Sequence, residues 1–543
     1  MNKSTYKAGF ISVSLLSTTA IAQHNQGTKP NIVIILADDM GYSDPGCFGG
    51  EIQTPNIDGL AANGLRFTNF YNCGRSWPSR SSLLTGYNYQ SVRQSSSTNR
   101  PEGWSRAIPH YLSSVGYRSY HSGKWHVMEM PKATADAGFN DSYHFANMFG
   151  NWDGKEFINE QPIVRSGADK FTFSTTEITN QGLRQLKEHH DDYANQPFFL
   201  YLAYTVPHFP LQASTEDIEK YKDMYLDGWD KLRQNRLKRM KALGIYKGKL
   251  SEPEPRARWE YQDDKYLLSK YGNGEVFETV DWNTLTQKQK EFQALKMAIH
   301  AAMVDKLDQE VGRIVAELKR MNQFENTIIF IMSDNGASAE MMVRGRGHDL
   351  LAVPGSADTH LCLGPGFAMA SNTPFRRSKI WVHEGGVATS LVVHFPEGIK
   401  AKNEIRRSPA HFIDILPTVI GLSGVEMGKV VNTDYPKLHG KSLVPAFISD
   451  KKATTHPLYF DHQGNKALID GDWKIVTSEI DNGIWSLYNL KLDRAEQIDL
   501  SKTRPELLNK MVQQFDKMAV DFKLQNPNPT PQQQVDKFVK PNY

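Results

Sequence analysis

Cysteine is nearly absent: the 543 residues carry Cys47, Cys73 and Cys362 and no other. Three thiols cannot build a disulfide framework, and without CxxC or CxxH spacing they argue against a structural zinc site. Buried free thiols are the expectation, with one bridge at most. An excess of either charge is lacking too, since 63 Lys and Arg face 60 Asp and Glu for a net charge of +3. That balance removes the broad basic face by which nucleic acid or an anionic membrane would be held. Beyond the N-terminus no apolar run is long enough to span a bilayer, so no membrane anchor is expected. There is no internal repeat. The length suits one large domain and a smaller one, and the 11% aromatic content serves a core or a sugar- or aryl-binding pocket equally well.

The N-terminus places Lys3 and Lys7 before an apolar run, Ala8 to Ala22, that closes on Ala20-Ile21-Ala22. This is the layout of a signal peptide over residues 1–22, and it predicts an exported chain, periplasmic or secreted. With the first cysteine at position 47, lipid attachment at a processed N-terminal cysteine is not supported.

Asn31 to Ala37 is a continuous β-branched run, the pattern of a central strand covered on both faces, and it ends in Asp38-Asp39. Thr327 to Met332 repeats the pattern and ends in Ser333-Asp334-Asn335-Gly336. A strand at Tyr117 to His121 runs into Lys124 and His126, another at Phe198 to Tyr204 into Pro207-His208, and a further one, Thr389 to Phe395, follows Lys379 and Glu384. Gln289 to Met321 has the three-four apolar spacing of one long helix. Strands alternating with helices predict an α/β fold: a large, mainly parallel sheet sandwiched by helices over residues 23–454, behind the signal peptide. Short strands from Leu458 to Leu490 and a helix from Pro505 predict a smaller C-terminal antiparallel sheet with a helix, residues 455–525, before a loosely ordered tail, 526–543. The charged stretch Tyr221 to Thr284 reads as a surface excursion whose basic run is a solvated helical face.

In an open α/β sheet, ligands bind at the carboxyl ends of the strands. Asp38, Asp39, Asp334 and Asn335 offer hard oxygen ligands there, suited to Ca²⁺ or, less well, Mg²⁺. Lys124, His126, His208 and Lys379 add basic groups to the same edge. Such a set neutralises a tetrahedral oxyanion and can protonate a leaving oxygen, as an esterase for sulfate or phosphate requires. Ser76 lies at the start of a helix primed by Pro78, with Arg80 one turn in, an anion-binding corner whose plainer reading is a capping serine.

Ser76-Trp77-Pro78-Ser79-Arg80 followed by Leu84-Thr85-Gly86 resembles the signature of the type I sulfatases of the alkaline phosphatase superfamily, close to the arylsulfatases. The resemblance extends to Asp38-Asp39, Gly123-Lys124-Trp125-His126, Pro207-His208, Ser333-Asp334-Asn335-Gly336 and the stretch from Lys379 to Gly386, all in family order. Cys73 is out of register, because Arg75 stands where the signature needs proline. The resemblance implies that Ser76 is converted to Cα-formylglycine, whose aldehyde hydrate attacks sulfur, by a maturation enzyme acting before export. It also implies Ca²⁺ held by Asp38, Asp39, Asp334 and Asn335 and touched by residue 76, which Arg80 keeps in place. Lys124 and Lys379 become sulfate clamps, His208 the acid for the leaving alcohol and His126 the base that releases sulfate. The expected activity is hydrolysis of sulfate esters: aryl sulfates in vitro, a sulfated carbohydrate in nature. The alternatives are a phosphatase or phosphonate monoester hydrolase of the same superfamily, or an unmatured glycan-binding protein. Trp381, His383, His462 and the loop Arg344 to His348 fit a substrate rim or a structural role.

Overall fold

The computed structural model describes residues 29–92, 105–127, 133–145, 156–163, 173–255, 258–345, 347–430 and 436–525. The expected signal peptide and C-terminal tail lie outside the described residues. Eleven strands form the large sheet: β1 (Asn31–Asp38), β2 (Leu65–Tyr71), β3 (Arg118–Gly123), β4 (Asp141–Phe145), β5 (Glu156–Ile158), β6 (Gln161–Ile163), β7 (Phe198–Pro207), β8 (Thr327–Ser333), β9 (Ala388–His394), β10 (Glu404–Arg406) and β11 (Ala410–His411). Their order is β10-β2-β9-β8-β1-β7-β3-β4-β5-β6, with β11 beside β2.

β1 sits mid-sheet, parallel to both β7 and β8. Its alternating side chains explain the sandwich. Val33, Ile35 and Ala37 pack into one core with the helices Ser174–Asp192 and Gln287–Arg320. Ile32, Ile34 and Leu36 pack into a second with Ser76–Thr85, Ile108–Ser113 and Ile415–Ser423. Each of these isoleucines is fully buried, a contribution of about 1.5–3 kcal/mol apiece. The long helix begins two residues before its predicted start because Thr286 and Gln289 form a reciprocal capping box.

The stretch 221–284 departs from its expected surface course. Helix Gly228–Ala242 drives Trp229, Leu232 and Met240 into the main core, and Arg236 is fully buried. Arg236 lies 2.7 Å from both Asp44 and Glu51, which makes its burial tolerable. Lys231, Lys238 and Lys241 do face solvent. These charges dilute the apolar stripe enough to hide it from a periodicity reading.

A second sheet is antiparallel: β12 (Leu458–His462), β13 (Asn465–Asp470), β14 (Trp473–Thr477) and β15 (Ser486–Asn489), in that order. Tyr459, Leu468, Ile475 and Leu487 pack under helix Pro505–Gln525, while Leu458, Phe460, Ala467, Ile469 and Val476 join the main core. Cys47, Cys73 and Cys362 are free and buried. No helix among the described residues is long and apolar enough to cross a membrane.

Candidate active site

β1, β7, β8 and β3 run parallel, so their carboxyl ends share one sheet edge. β9 is antiparallel to both β8 and β2. β2 therefore ends at that same edge, and the segment leading into β9 begins there. This topology collects Asp38-Asp39 after β1, Asp334-Asn335 after β8, His208 after β7, Lys124 and His126 after β3, Ser76 after β2 and Lys379 before β9. The loops pass each other closely: a Cβ on Gly336 would lie 1.9 Å from the Gly385 carbonyl oxygen, so only glycine fits.

Ser76 is the first residue of its helix rather than its cap; Arg75 holds the cap position, and no side chain there bonds the helix end. Gly86 ends the helix in the left-handed conformation. The Ser76 hydroxyl lies 3.1 Å from Asp38 Oδ1 and 3.1 Å from Asn335 Oδ1, either of which can accept its proton. Asn335 Nδ2 donates to Asp39 Oδ1 at 2.6 Å. Arg80 is fully buried beneath them, with Nε and Nη2 2.9 and 2.8 Å from Asp334 Oδ2, Nη2 3.5 Å from Asp38 and Nη1 donating to the Lys124 carbonyl at 3.0 Å. Its contacts thus brace the carboxylates. Lys124 Nζ pairs with Asp38. Lys379 Nζ lies 3.0 Å from Asp39 and 2.8 Å from Glu340. His208 Nε2 is 3.6 Å from Asp39 Oδ2, and its Nδ1 is bound to the Phe209 carbonyl at 2.5 Å.

Asp39, His126 and Ile380 all adopt left-handed backbone, with φ of 67°, 55° and 82°. For a β-branched residue this is a genuine outlier, and its place beside Lys379 marks the edge as strained.

The electrostatics divide the acids. Burial, with Asp38 and Glu340 nearby, raises Asp39 to about 6 against the pull of Lys379, and burial with Asp38 nearby raises Asp334 to about 6. Asp38 itself is held well below the carboxylate range, because Lys124, Arg80 and Lys379 outweigh its burial. His208 is pushed down to about 3 by burial and by Lys379, and His126 well below the usual histidine range by burial and Lys124, so both imidazoles are neutral at pH 7.

The ligating atoms of Asp38, Asp39 and His208 lie within 4.8 Å of one another, all three residues being buried. Two buried carboxylates raised to about 6 beside a third, with an amide oxygen opposite, are short of positive charge. The donor set fits a hard divalent cation.

Three residues of this neighbourhood escaped sequence reasoning. Glu340 follows Asn335 by five positions on the same loop, a spacing that could have drawn attention to it. Tyr261 comes from the irregular stretch and Gln463 from the turn between β12 and β13, where nothing in the sequence points to the site. Trp381, His383 and His462 prove buried, at 1%, 2% and 5% exposure: Trp381 packs on Trp259, His383 beside Arg377, and His462 against Trp77 and Tyr89. Arg344 lies over the Tyr261 ring.

A doubly wound sheet that gathers acids, lysines and a hydroxyl at one strand edge is the architecture of the alkaline phosphatase superfamily. The sulfatase family pattern matches residues 30–425, and the chain belongs to the sulfatase family, as a type I member. It is 31% identical to an uncharacterized sulfatase of Schizosaccharomyces pombe over 91% of this chain and 94% of that one. To the arylsulfatase of Klebsiella aerogenes it is 29% identical, over 79% and 93%. Among solved structures, Ps i-CgsB in complex with k-i-k-neocarrahexaose superposes with a TM-score of 0.65 at 23% identity, covering 94% of this chain and 95% of that one. The protein is an enzyme that hydrolyses sulfate esters.

Proposed function

We propose that hydrolysis runs through residue 76 as a formylglycine, on a Ca²⁺ held by Asp38, Asp39, Asp334 and Asn335, and that the natural substrate is a sulfated carbohydrate met outside the cytoplasm. One observation carries the reading: the Ser76 hydroxyl shares Asp38 and Asn335 with the carboxylate cluster that Lys124, Lys379 and His208 surround. A bound Ca²⁺ would orient residue 76 and neutralise the sulfate group, and the aldehyde hydrate would supply one hydroxyl to attack sulfur and a second to expel sulfate afterwards. An unmodified serine lacks that second hydroxyl, and turnover would stall.

The remaining roles belong to this chain's own side chains. Lys124 reaches Asp38, which bonds Ser76, and Lys379 reaches its neighbour Asp39, so both are placed to meet sulfate oxygens at this edge. Arg80 fixes Asp334 and Asp38. With Nδ1 bonded to the Phe209 carbonyl, His208 would take up a proton on Nε2 as a sulfate anion arrives beside it and raises its proton affinity, and would give that proton to the ester oxygen as the alcohol leaves. His126, kept neutral, accepts a proton during release of sulfate. Export follows from residues 1–22, and a sulfated saccharide is in keeping with the carrahexaose-bound neighbour.

Mass spectrometry of the peptide spanning Ser76 is the test. Conversion removes two hydrogens, and activity should scale with the converted fraction. An active preparation in which residue 76 is wholly serine would end the formylglycine reading. Parallel assays on aryl sulfate and aryl phosphate should favour the sulfate.

A further inference from the structure

Lys379 has a flexible stem, so its grip on an anion depends on what fixes its ammonium group. The backbone is held: the Lys379 N–H donates to the Ala337 carbonyl at 3.1 Å and the Ile380 N–H to the Gly74 carbonyl at 2.7 Å. The head group is held by a carboxylate outside the set assigned above. Glu340 Oε2 lies 2.8 Å from Lys379 Nζ and accepts the Ser338 hydroxyl at 2.9 Å, while Oε1 accepts the Tyr261 hydroxyl at 2.5 Å. Glu340 is only 4% exposed. The Tyr261 oxygen accepts from Arg75 Nη2 at 3.1 Å, and Arg75 Nη1 donates to Gln463 Oε1 at 2.6 Å. A continuous hydrogen-bonded line thus runs from Lys379 through Glu340, Tyr261 and Arg75, the neighbour of Ser76, to the β12–β13 turn.

We propose that Glu340 is the positioning residue for Lys379: it aims the ammonium group at the sulfate position, and the Tyr261–Arg75–Gln463 line holds Glu340 in turn. The inference rests on the reading of Lys379 as a sulfate clamp. Only a carboxylate meets the local demand. Ser338, Lys379 and Tyr261 all donate toward residue 340, and because the Tyr261 oxygen already accepts from Arg75, its own proton is committed to Glu340. A glutamine offers one acceptor oxygen and would turn its NH₂ toward a donor, either the ammonium group or the tyrosine hydroxyl. One orientation takes the acceptor at residue 340 away from Lys379, the other takes it from Tyr261 and breaks the supporting line; in both the ammonium group loses its charged partner at residue 340 and is fixed by Asp39 alone, 3.0 Å away.

The test compares Glu340→Gln, Lys379→Ala and the double variant with the full-length enzyme, at Ser76 conversion matched by mass spectrometry, using 4-nitrophenyl sulfate as substrate and inorganic sulfate as inhibitor. Displacing a positioned group by about 1 Å costs about 10²-fold, so Glu340→Gln should lower kcat/KM by about 10²-fold and raise both the KM and the sulfate Ki. A purely structural role would reduce the active fraction and leave KM and Ki unchanged. The double variant should be no worse than Lys379→Ala. Wild-type KM and Ki for Glu340→Gln beside an impaired Lys379→Ala would overturn this inference alone, as would multiplying losses in the double variant. A Lys379→Ala variant with wild-type KM and Ki would overturn the clamp reading and the inference with it. Should Glu340→Gln fail to fold, Tyr261→Phe removes one support and leaves the charge pair intact; a smaller rise in KM and Ki is expected, and no rise overturns the proposal.

Discussion

Two clusters of buried charge are built from the same side chains and differ in what their acids still need. At the junction of the two sheets, Glu384 takes donors on both oxygens: Lys474 at 2.9 Å, Arg494 at 2.8 Å and the Tyr71 hydroxyl at 3.1 Å. Lys474 also reaches Glu496 at 2.8 Å, and Glu496 accepts the Glu384 N–H at 3.0 Å. Burial would raise Glu384, yet Lys474 and Arg494 hold it below its usual range. At the strand edge, Asp39 and Asp334 stay raised to about 6 although Lys379 and Arg80 touch them. Burial, with Glu384 beside it, raises Glu496 as well, so the difference lies in the balance of charge: the junction sets Lys474 and Arg494 against two carboxylates, whereas the edge sets Arg80, Lys124 and Lys379 against four, Asp38, Asp39, Asp334 and Glu340. One is a structural lock; the other is where the proposed cation and the sulfate group would sit.

The widest separation should come from Ser76→Ala. It removes the group proposed to become the nucleophile, and losses at a nucleophile reach on the order of 10⁴-fold or more. Because the alanine leaves no unpaired buried charge, the thermal midpoint should stay near wild type. Steady-state rates on an aryl sulfate together with a melting curve check both halves, and substantial retained activity would contradict the placement of chemistry at residue 76.

Lys474→Met should do the reverse. It strands Glu384 and Glu496 in a buried site with Arg494 as their nearby cation, and removing one partner of a buried ion pair costs about 3–5 kcal/mol. Chemical unfolding should show that loss, while KM of the folded fraction on the aryl sulfate remains as it was. A changed KM at unchanged stability would mean that the junction serves the site directly.

The same contrast explains what could be read from the sequence. The edge was legible because its acids follow unbroken apolar runs: Asn31–Asp38 and Thr327–Ser333 announce central strands, and whatever follows such a strand sits at a predictable edge. The junction was not, because Glu384 opens a short helix, Lys474 lies on a short strand and Arg494 and Glu496 share a later loop, with no periodicity to relate them. Arg236 was misjudged for a related reason: a basic residue on a helix reads as solvated until its partners, Asp44 and Glu51, arrive from nearly two hundred residues away. Tyr261 and Gln463 reach the site by the same long-range folding. Pattern locates strand ends well; it does not locate the side chains that brace them.

A third ion pair sharpens the comparison at smaller scale, because its histidine is raised above the usual imidazole value. His456 Nε2 lies 2.7 Å from Asp414 Oδ1, joining the segment that enters the second sheet to the start of helix Ile415–Ser423. Burial works against the charged imidazole, but Asp414 prevails and raises its pKa. A histidine whose proton affinity is raised by folding contributes stability that is complete below the unfolded value of about 6.5 and fades as pH climbs through the folded value. A hydrogen bond to a charged partner is worth about 1.5–3 kcal/mol, so the effect should be the smallest of those described here. His456→Gln keeps a neutral donor at the position and loses the titration. The wild type should therefore melt above His456→Gln by a wider margin at about pH 6 than at about pH 8.5, with activity per folded molecule unchanged. An equal margin at both pH values would show that the contact acts as a neutral hydrogen bond and does not respond to protons in this range.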